Sequence, residues 1–233
     1  MLKKGQKSLV ILLVFAIATV VVWQIPGGMM ILYPFTLLST WFHEMGHGVM
    51  ALILGGHFIR MEVFANGSGL AQYSGELFLG TIGRAIVAGA GPLAPTFMGS
   101  FMLIMSDKAK VAKWTLIILG ILMLSSVVLW IREFLPILVL AFLGLLLLLV
   151  GLKGKAGIKQ FTMQFFGVQA IMGFYLSIGY LFSSGANVGG YSLPSDTQAM
   201  ANNLFLPFWF WGALLLFIWA AMIYYTMKTV LNK

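Results

Sequence analysis

"TWFHEMGHGVMALILGG", residues 40–56, is apolar enough to lie inside a bilayer, yet it holds two histidines and a glutamate within five positions. The whole chain of 233 residues has only three histidines. On an α-helix, positions i and i+4 share one face a turn apart, so His43 and His47 point the same way. Two imidazoles so placed can bind one Zn²⁺. Glu44 falls at a neighbouring azimuth, from which it reaches a water on the ion without binding the ion itself. Zinc lowers the pKa of that water toward about 7, so a carboxylate can take its proton and later pass it to a leaving amine. The same five-residue pattern arises where two histidines are merely packed and hydrogen-bonded in a helix. Context favours the metal: ionisable groups in a membrane helix are costly and are functional by default. Three of them fall here on one turn or beside it.

Composition agrees with a membrane setting. The chain is 61% hydrophobic and 9% charged, against about 25% charged residues in soluble domains. A spanning helix needs roughly 20 mostly apolar residues. Seven runs qualify: 8–24, 29–55, 79–105, 112–131, 134–152, 162–183 and 204–228. No polar stretch is long enough for a separate soluble domain, so residues 1–233 read as one membrane-embedded domain. The net charge of +8 does not mark a nucleic-acid binder. Its lysines cluster at span ends (Lys3, Lys4 and Lys7; Lys108, Lys110 and Lys113; Lys153, Lys155 and Lys159; Lys228 and Lys233), where cations meet lipid headgroups. With no cysteine, neither a disulfide nor a thiolate ligand is available. The basic, apolar start imitates a signal peptide, but its one small-x-small site, Ala16-Ile17-Ala18, lies inside the apolar run, which predicts an uncleaved first span.

Around the histidine helix the text changes character. In "FIRMEVF", Ile59, Met61 and Val63 alternate with Arg60 and Glu62; "ANGSG" then signals a turn and "LAQYSG" extends again. This predicts a β-hairpin directly after the helix, either a connecting ribbon or an edge strand able to pair with an extended peptide. The third span is rich in small residues, with Ala85/Gly89 and Ala90/Ala94 at helical spacing, and is expected to pack closely on the histidine helix. Pro92 and Pro95 predict a kink there, and Arg84 is expected to snorkel to the interface. Residues 184–203 form the longest polar segment, with Ser195 as an N-cap that starts a short helix.

A catalytic zinc site usually takes three protein ligands and one open position. Few residues are left to supply the third. His57 lies ten positions beyond His47, about 15 Å along a straight helix, although Gly55-Gly56 could turn it back. Asp107 sits among lysines, Glu133 stands beside Arg132, and Glu62 and Glu76 flank the hairpin. Asp196 remains, with no cation nearby. Four spans separate it from the histidine helix, and an even number returns the chain to the same side. The competing reading of Asp196 is a plain N-cap aspartate.

H-E-M-G-H in a membrane helix, then "GGHFIRMEVFANGSGL", "AGAGPLAP" and a late Ser-Asp after a proline, resembles the M50 zinc metallopeptidases, in particular the M50B-like branch of bacterial proteins related to site-2 proteases. The resemblance covers residues 36–100 and, more loosely, 190–200. It implies an all-α polytopic membrane protein, with the hairpin matching a membrane-embedded β element that holds substrate extended. It implies His43, His47 and Asp196 as zinc ligands and Glu44 as catalytic base. Its substrate would be a membrane protein or peptide cut in or near a transmembrane segment, and its location a bacterial cell membrane. The text "YSLPSDTQAM" departs from the Asn-Pro…Leu-Asp-Gly type of sequence usual in site-2 proteases, having no glycine after the aspartate. The alternative function is a non-catalytic zinc-binding scaffold or regulator. A transporter is disfavoured by the lack of an internal repeat. Glu44 favours the enzyme, since a purely structural site has no use for it. Lys3, Lys4 and Lys7 favour a cytosolic N-terminus, while the lysine loops at 107–113 and 153–159 argue the other way.

Overall fold

The computed structural model describes residues 4–232; Lys3 and Lys233, and the side chains of Lys4 and Lys7, lie outside the described residues. The protein is mostly helical. Two helices, α1 (Lys4–Gln24) and α2 (Gly28–Ile53), lead into a hairpin of β1 (His57–Val63) and β2 (Gly69–Ser74). Four more follow: α3 (Thr81–Met105), α4 (Ala109–Leu129), α5 (Phe134–Lys153) and α6 (Ala156–Leu176). The one-turn α7 (Ile178–Leu181) opens onto a second hairpin, β3 (Gly185–Val188) and β4 (Tyr191–Pro194), and the chain closes with α8 (Asp196–Asn203) and α9 (Phe208–Leu231). Among the described residues four helices, α3, α4, α5 and α9, are long and apolar enough to cross a membrane.

The turn out of α2 is set by two glycines. Gly55 takes a φ of +87°, which costs a residue without Cβ little. The Gly56 N–H then donates to Ala51 O at 2.9 Å and the Gly55 N–H to Leu52 O at 3.1 Å, the paired bonds of a Schellman ending. This reversal lays the first hairpin back along its own helix. Glycine makes the contact close: a Cβ at Gly69 would meet Glu44 Cγ at 2.6 Å, and one at Gly48 would meet the Phe58 ring at 2.6 Å. Met61 and Val63 are buried in the main core, with Leu37, Leu38 and Trp41 of α2 and Leu140 of α5.

Ile59 does not share that face. The ladder slips between Phe58 and Arg60, and a bulge shifts the alternation by one residue. Ile59 is therefore exposed, while Phe58 packs on the core beside Trp130. The small-residue stripe of α3 also divides. Gly46 of α2 faces Ala90 and Ala94, whereas Gly89 faces Met200 of α8 and Leu215 of α9. One side of α3 thus grips the histidine helix and the other grips the late helices. The helix runs on through Pro92 and Pro95.

Candidate metal centre

His43 and His47 share one face of α2, their rings edge to face with centroids 4.8 Å apart. Asp196, the first residue of α8, comes to them from the far end of the chain. Its two carboxylate oxygens lie 2.9 Å from His43 Nε2 and 3.2 Å from His47 Nε2. The three donor atoms fall within 4.8 Å of one another, a group that could hold a metal ion. A tetrahedral zinc site with bonds of about 2.0–2.2 Å has ligand–ligand edges of about 3.3–3.6 Å, so donors within 4.8 Å of one another would have to shift by about an ångström to close on a small dication.

Each donor is aimed by a partner behind it. His47 Nδ1–H donates to Val87 O at 2.8 Å, which aims Nε2 at the cluster. A Cβ at Gly91 of α3 would strike the His47 ring, so glycine there makes room for the imidazole. Tyr180 Oη donates to Asp196 Oδ2 at 3.1 Å and accepts from the Asp196 N–H at 3.0 Å. Ser195 caps α8 by accepting from the Gln198 N–H and donating to Ser183 O at 2.5 Å, while the Thr197 hydroxyl donates to Leu181 O at 2.9 Å. Burial alone would raise the Asp196 carboxyl; His47 and His43, as protonated imidazoliums beside it, outweigh that rise and hold the group well below the ordinary carboxylate range. The pocket therefore keeps its aspartate ionised.

Glu44 is 5% exposed and does not join the donor set. Its carboxylate lies against β2, where a Cβ at Gly69 would meet Oε1 at 2.6 Å and the Ala71 N–H faces it. Two cavities open beside it. One of about 180 Å³ is bordered by His47, Asp196, Tyr73 and Arg84; another of about 280 Å³ by Thr40, Ser68, Ser177 and Asn187. The second hairpin lines both. A buried carboxylate therefore stands between two recesses, beside a candidate dication site and against a strand edge.

Of the residues singled out in the sequence, His43, Glu44, His47 and Asp196 come together. His57 starts β1, exposed, its ring beside Gly75. Glu62 pairs with Arg60 at 3.3 Å. Glu133 is not engaged by Arg132: it accepts from the Ala65 N–H at 2.5 Å and so pins the hairpin turn, while Arg132 donates to carbonyls ending α4, among them Leu129 O. Arg84 lies at the cleft rather than reaching only for the interface, its Nε donating to Asn203 Oδ1 at 2.9 Å. Two features escaped sequence reasoning. The β3–β4 hairpin had a signal in "NVGGY": Gly189 and Gly190 take φ of +56° and +91°, as a two-residue type I′ turn requires. Tyr180 had none, because a tyrosine near the end of an apolar run looks like any interfacial aromatic.

These features define an integral membrane protein with an HExxH helix and a distant aspartate folded onto it. The family model described as "Peptidase M50B-like" matches residues 11–226, and the chain belongs to that family. No match was found among curated proteins or among solved structures.

Proposed function

We propose that the protein is a membrane-embedded zinc metalloprotease that hydrolyses peptide bonds in or near transmembrane segments of membrane proteins or peptides. His43, His47 and Asp196 hold the zinc, and Glu44 is the general base. The observation that carries this reading is the meeting of Asp196 with His43 and His47, with Glu44 buried next to them but outside the donor set.

A zinc ion held by His43, His47 and Asp196 would supply Lewis-acid polarisation and make a water more acidic. Glu44 accepts the proton of the attacking water and returns it to the leaving amine. The Ala71 N–H faces the Glu44 carboxylate. Tyr180 holds Asp196, and Val87 O holds His47. A helical substrate must unwind first, because its carbonyls are already bonded. The outer edge of β2 receives the unwound segment. In an antiparallel ladder the residues alternate between facing the partner strand and facing outward. Since the Ala71 N–H faces Glu44, the backbones of Gly69, Ala71 and Tyr73 form the outward set.

Seven helices of 20 residues or more, α1 to α6 and α9, serve as the spans. Residues 1–233 act as one domain in a bacterial cell membrane. Glu44→Gln keeps the shape of the side chain but cannot accept the proton. The purified variant should retain its zinc and lose at least 10²–10⁴-fold in hydrolysis of a membrane peptide. Unchanged turnover would remove Glu44 from the mechanism. Zinc retention without turnover in the unaltered protein as well would favour the scaffold reading.

A further inference from the structure

The 180 Å³ cavity beside Glu44 has a charge that the proposed hydrolysis does not use. Arg84, in the first turn of α3, is the one permanent cation among the described residues that line it. Its Nε is tied to Asn203 Oδ1, and that amide is oriented by its own Nδ2 donating to Ala199 O at 2.9 Å. The exposed guanidinium is thus tied from α3 to α8 by one hydrogen bond. Its two Nη groups have no hydrogen-bond partner among the described residues. A guanidinium fork matches a carboxylate in two parallel bonds. Away from Glu44, Asp196 and the two histidines of the centre, the rest of the lining is apolar or neutral, with Leu70, Val87, Ala88 and Leu193.

The strand register says where on a substrate that cation acts. Ala71 stands at Glu44, and Tyr73, two residues along the same outward edge, also lines this cavity. Burial raises the Tyr73 phenol and the Arg84 cation opposes that rise, so the guanidinium lies within electrostatic reach of Tyr73. Two residues of strand span about 7 Å. A peptide laid along β2 with its scissile bond at Glu44 therefore brings a position two residues away to Arg84.

Resting on the protease reading above, we propose that Arg84 is a specificity residue: it binds a substrate carboxylate two residues from the cleaved bond, on the side toward Tyr73. Either an acidic side chain or a free C-terminus supplies that chemistry. The test uses full-length protein in detergent and fluorescent apolar dodecapeptides. One Glu is scanned along the peptide against Gln, each peptide having an amidated or a free C-terminus. Binding is read on the Glu44→Gln variant and cut positions on the unaltered protein. The best Glu peptide should bind roughly tenfold tighter than its Gln partner, with cleavage two residues from the Glu. If the terminus is the ligand, the free-acid peptides carry the preference instead. Arg84→Gln, which can still bond Asn203, should abolish the preference. Arg84→Glu should invert it toward Lys-bearing peptides, a gain that misfolding cannot produce. Equal binding of every carboxylate and amide pair, or a preference that survives Arg84→Glu, overturns the proposal. Arg84-dependent binding of peptides that are never cut supports the subsite and counts against the hydrolytic reading alone.

Discussion

The first hairpin is tied down along its length and the second only at its ends. In the first, Tyr33 Oη donates to Ala65 O at 2.9 Å, Thr40 Oγ1 donates to Gly67 O at 2.6 Å, and Glu133 accepts from the Ala65 N–H. Met61 and Val63 add buried apolar area beneath it. The second has strands of four residues each, none of them buried. At its base Ser183 and Ser195 bond across to each other; at its tip the Gly189 N–H donates to Ser68 Oγ at 3.1 Å. Both hairpins border the same cleft. The wall that carries Glu44's partner is rigid, and the wall that leads to Asp196 is a strap. Few buried apolar contacts and exposed backbone bonds mark the parts of a protein that open first. The centre is thus built from a fixed half, α2 with β1–β2, and a delivered half, the segment from α7 to α8.

The largest effect should come from cutting the delivered half out of the centre. Asp196→Ala removes the carboxylate that would offset a dication in a low-dielectric site. Zinc affinity in the purified variant should fall by more than the roughly 10–100-fold that loss of an outer partner costs. His57→Ala, at the start of the fixed hairpin, should keep its zinc. Metal analysis of the two variants under the same chelator decides between them. An emptied His57 variant beside a loaded Asp196 variant would reverse the roles of the halves.

A smaller effect should follow from loosening the delivered half without removing it. Tyr180→Phe keeps the ring but loses both hydrogen bonds to Asp196. Zinc affinity should weaken roughly 10–100-fold, as for other outer-shell partners. A competition titration with a zinc indicator measures this directly, and an unaltered affinity would make Tyr180 a packing residue only.

The same division explains what could be read from the sequence. The fixed half is local. His43, Glu44 and His47 declare themselves by helical spacing, and "ANGSG" declares the turn of the first hairpin. Asp196 lies 149 residues beyond His47 (196 − 47), yet it was legible by elimination, because the chain has six acidic residues in all, of which Asp107 and Glu133 have cations beside them and Glu62 and Glu76 flank the hairpin. Long-range partners were not legible. Nothing near Glu133 in the sequence points to Ala65, 68 residues away, and its neighbour Arg132 misleads. The phase of β1 was lost at the bulge, since alternation counts residues and a bulge inserts one. Tyr180 matters only through where α8 lands, and that is a tertiary fact.

The smallest effect, and the closest test of the comparison, lies at the tip of the strap. The Ser68 hydroxyl donates to Asn66 Oδ1 at 2.6 Å, which turns its oxygen toward the Gly189 N–H. Gly189 itself admits no side chain: a Cβ there would meet the Phe64 ring at 2.6 Å. The tip is therefore held by a single neutral hydrogen bond and one aromatic contact. Ser68→Ala removes the bond and leaves the contact. A neutral hydrogen bond contributes about 0.5–1.5 kcal/mol net, so the open population of the strap should rise roughly two- to twelvefold. Ser68 sits in the turn of the first hairpin, but the backbone ties at Ala65 and Gly67 do not involve its side chain. Amide exchange should consequently accelerate across residues 185–194 and stay unchanged across 57–63, with zinc content as in the unaltered protein. Equal acceleration in both hairpins would show that they open as one unit, and the division into a fixed half and a delivered half would fail.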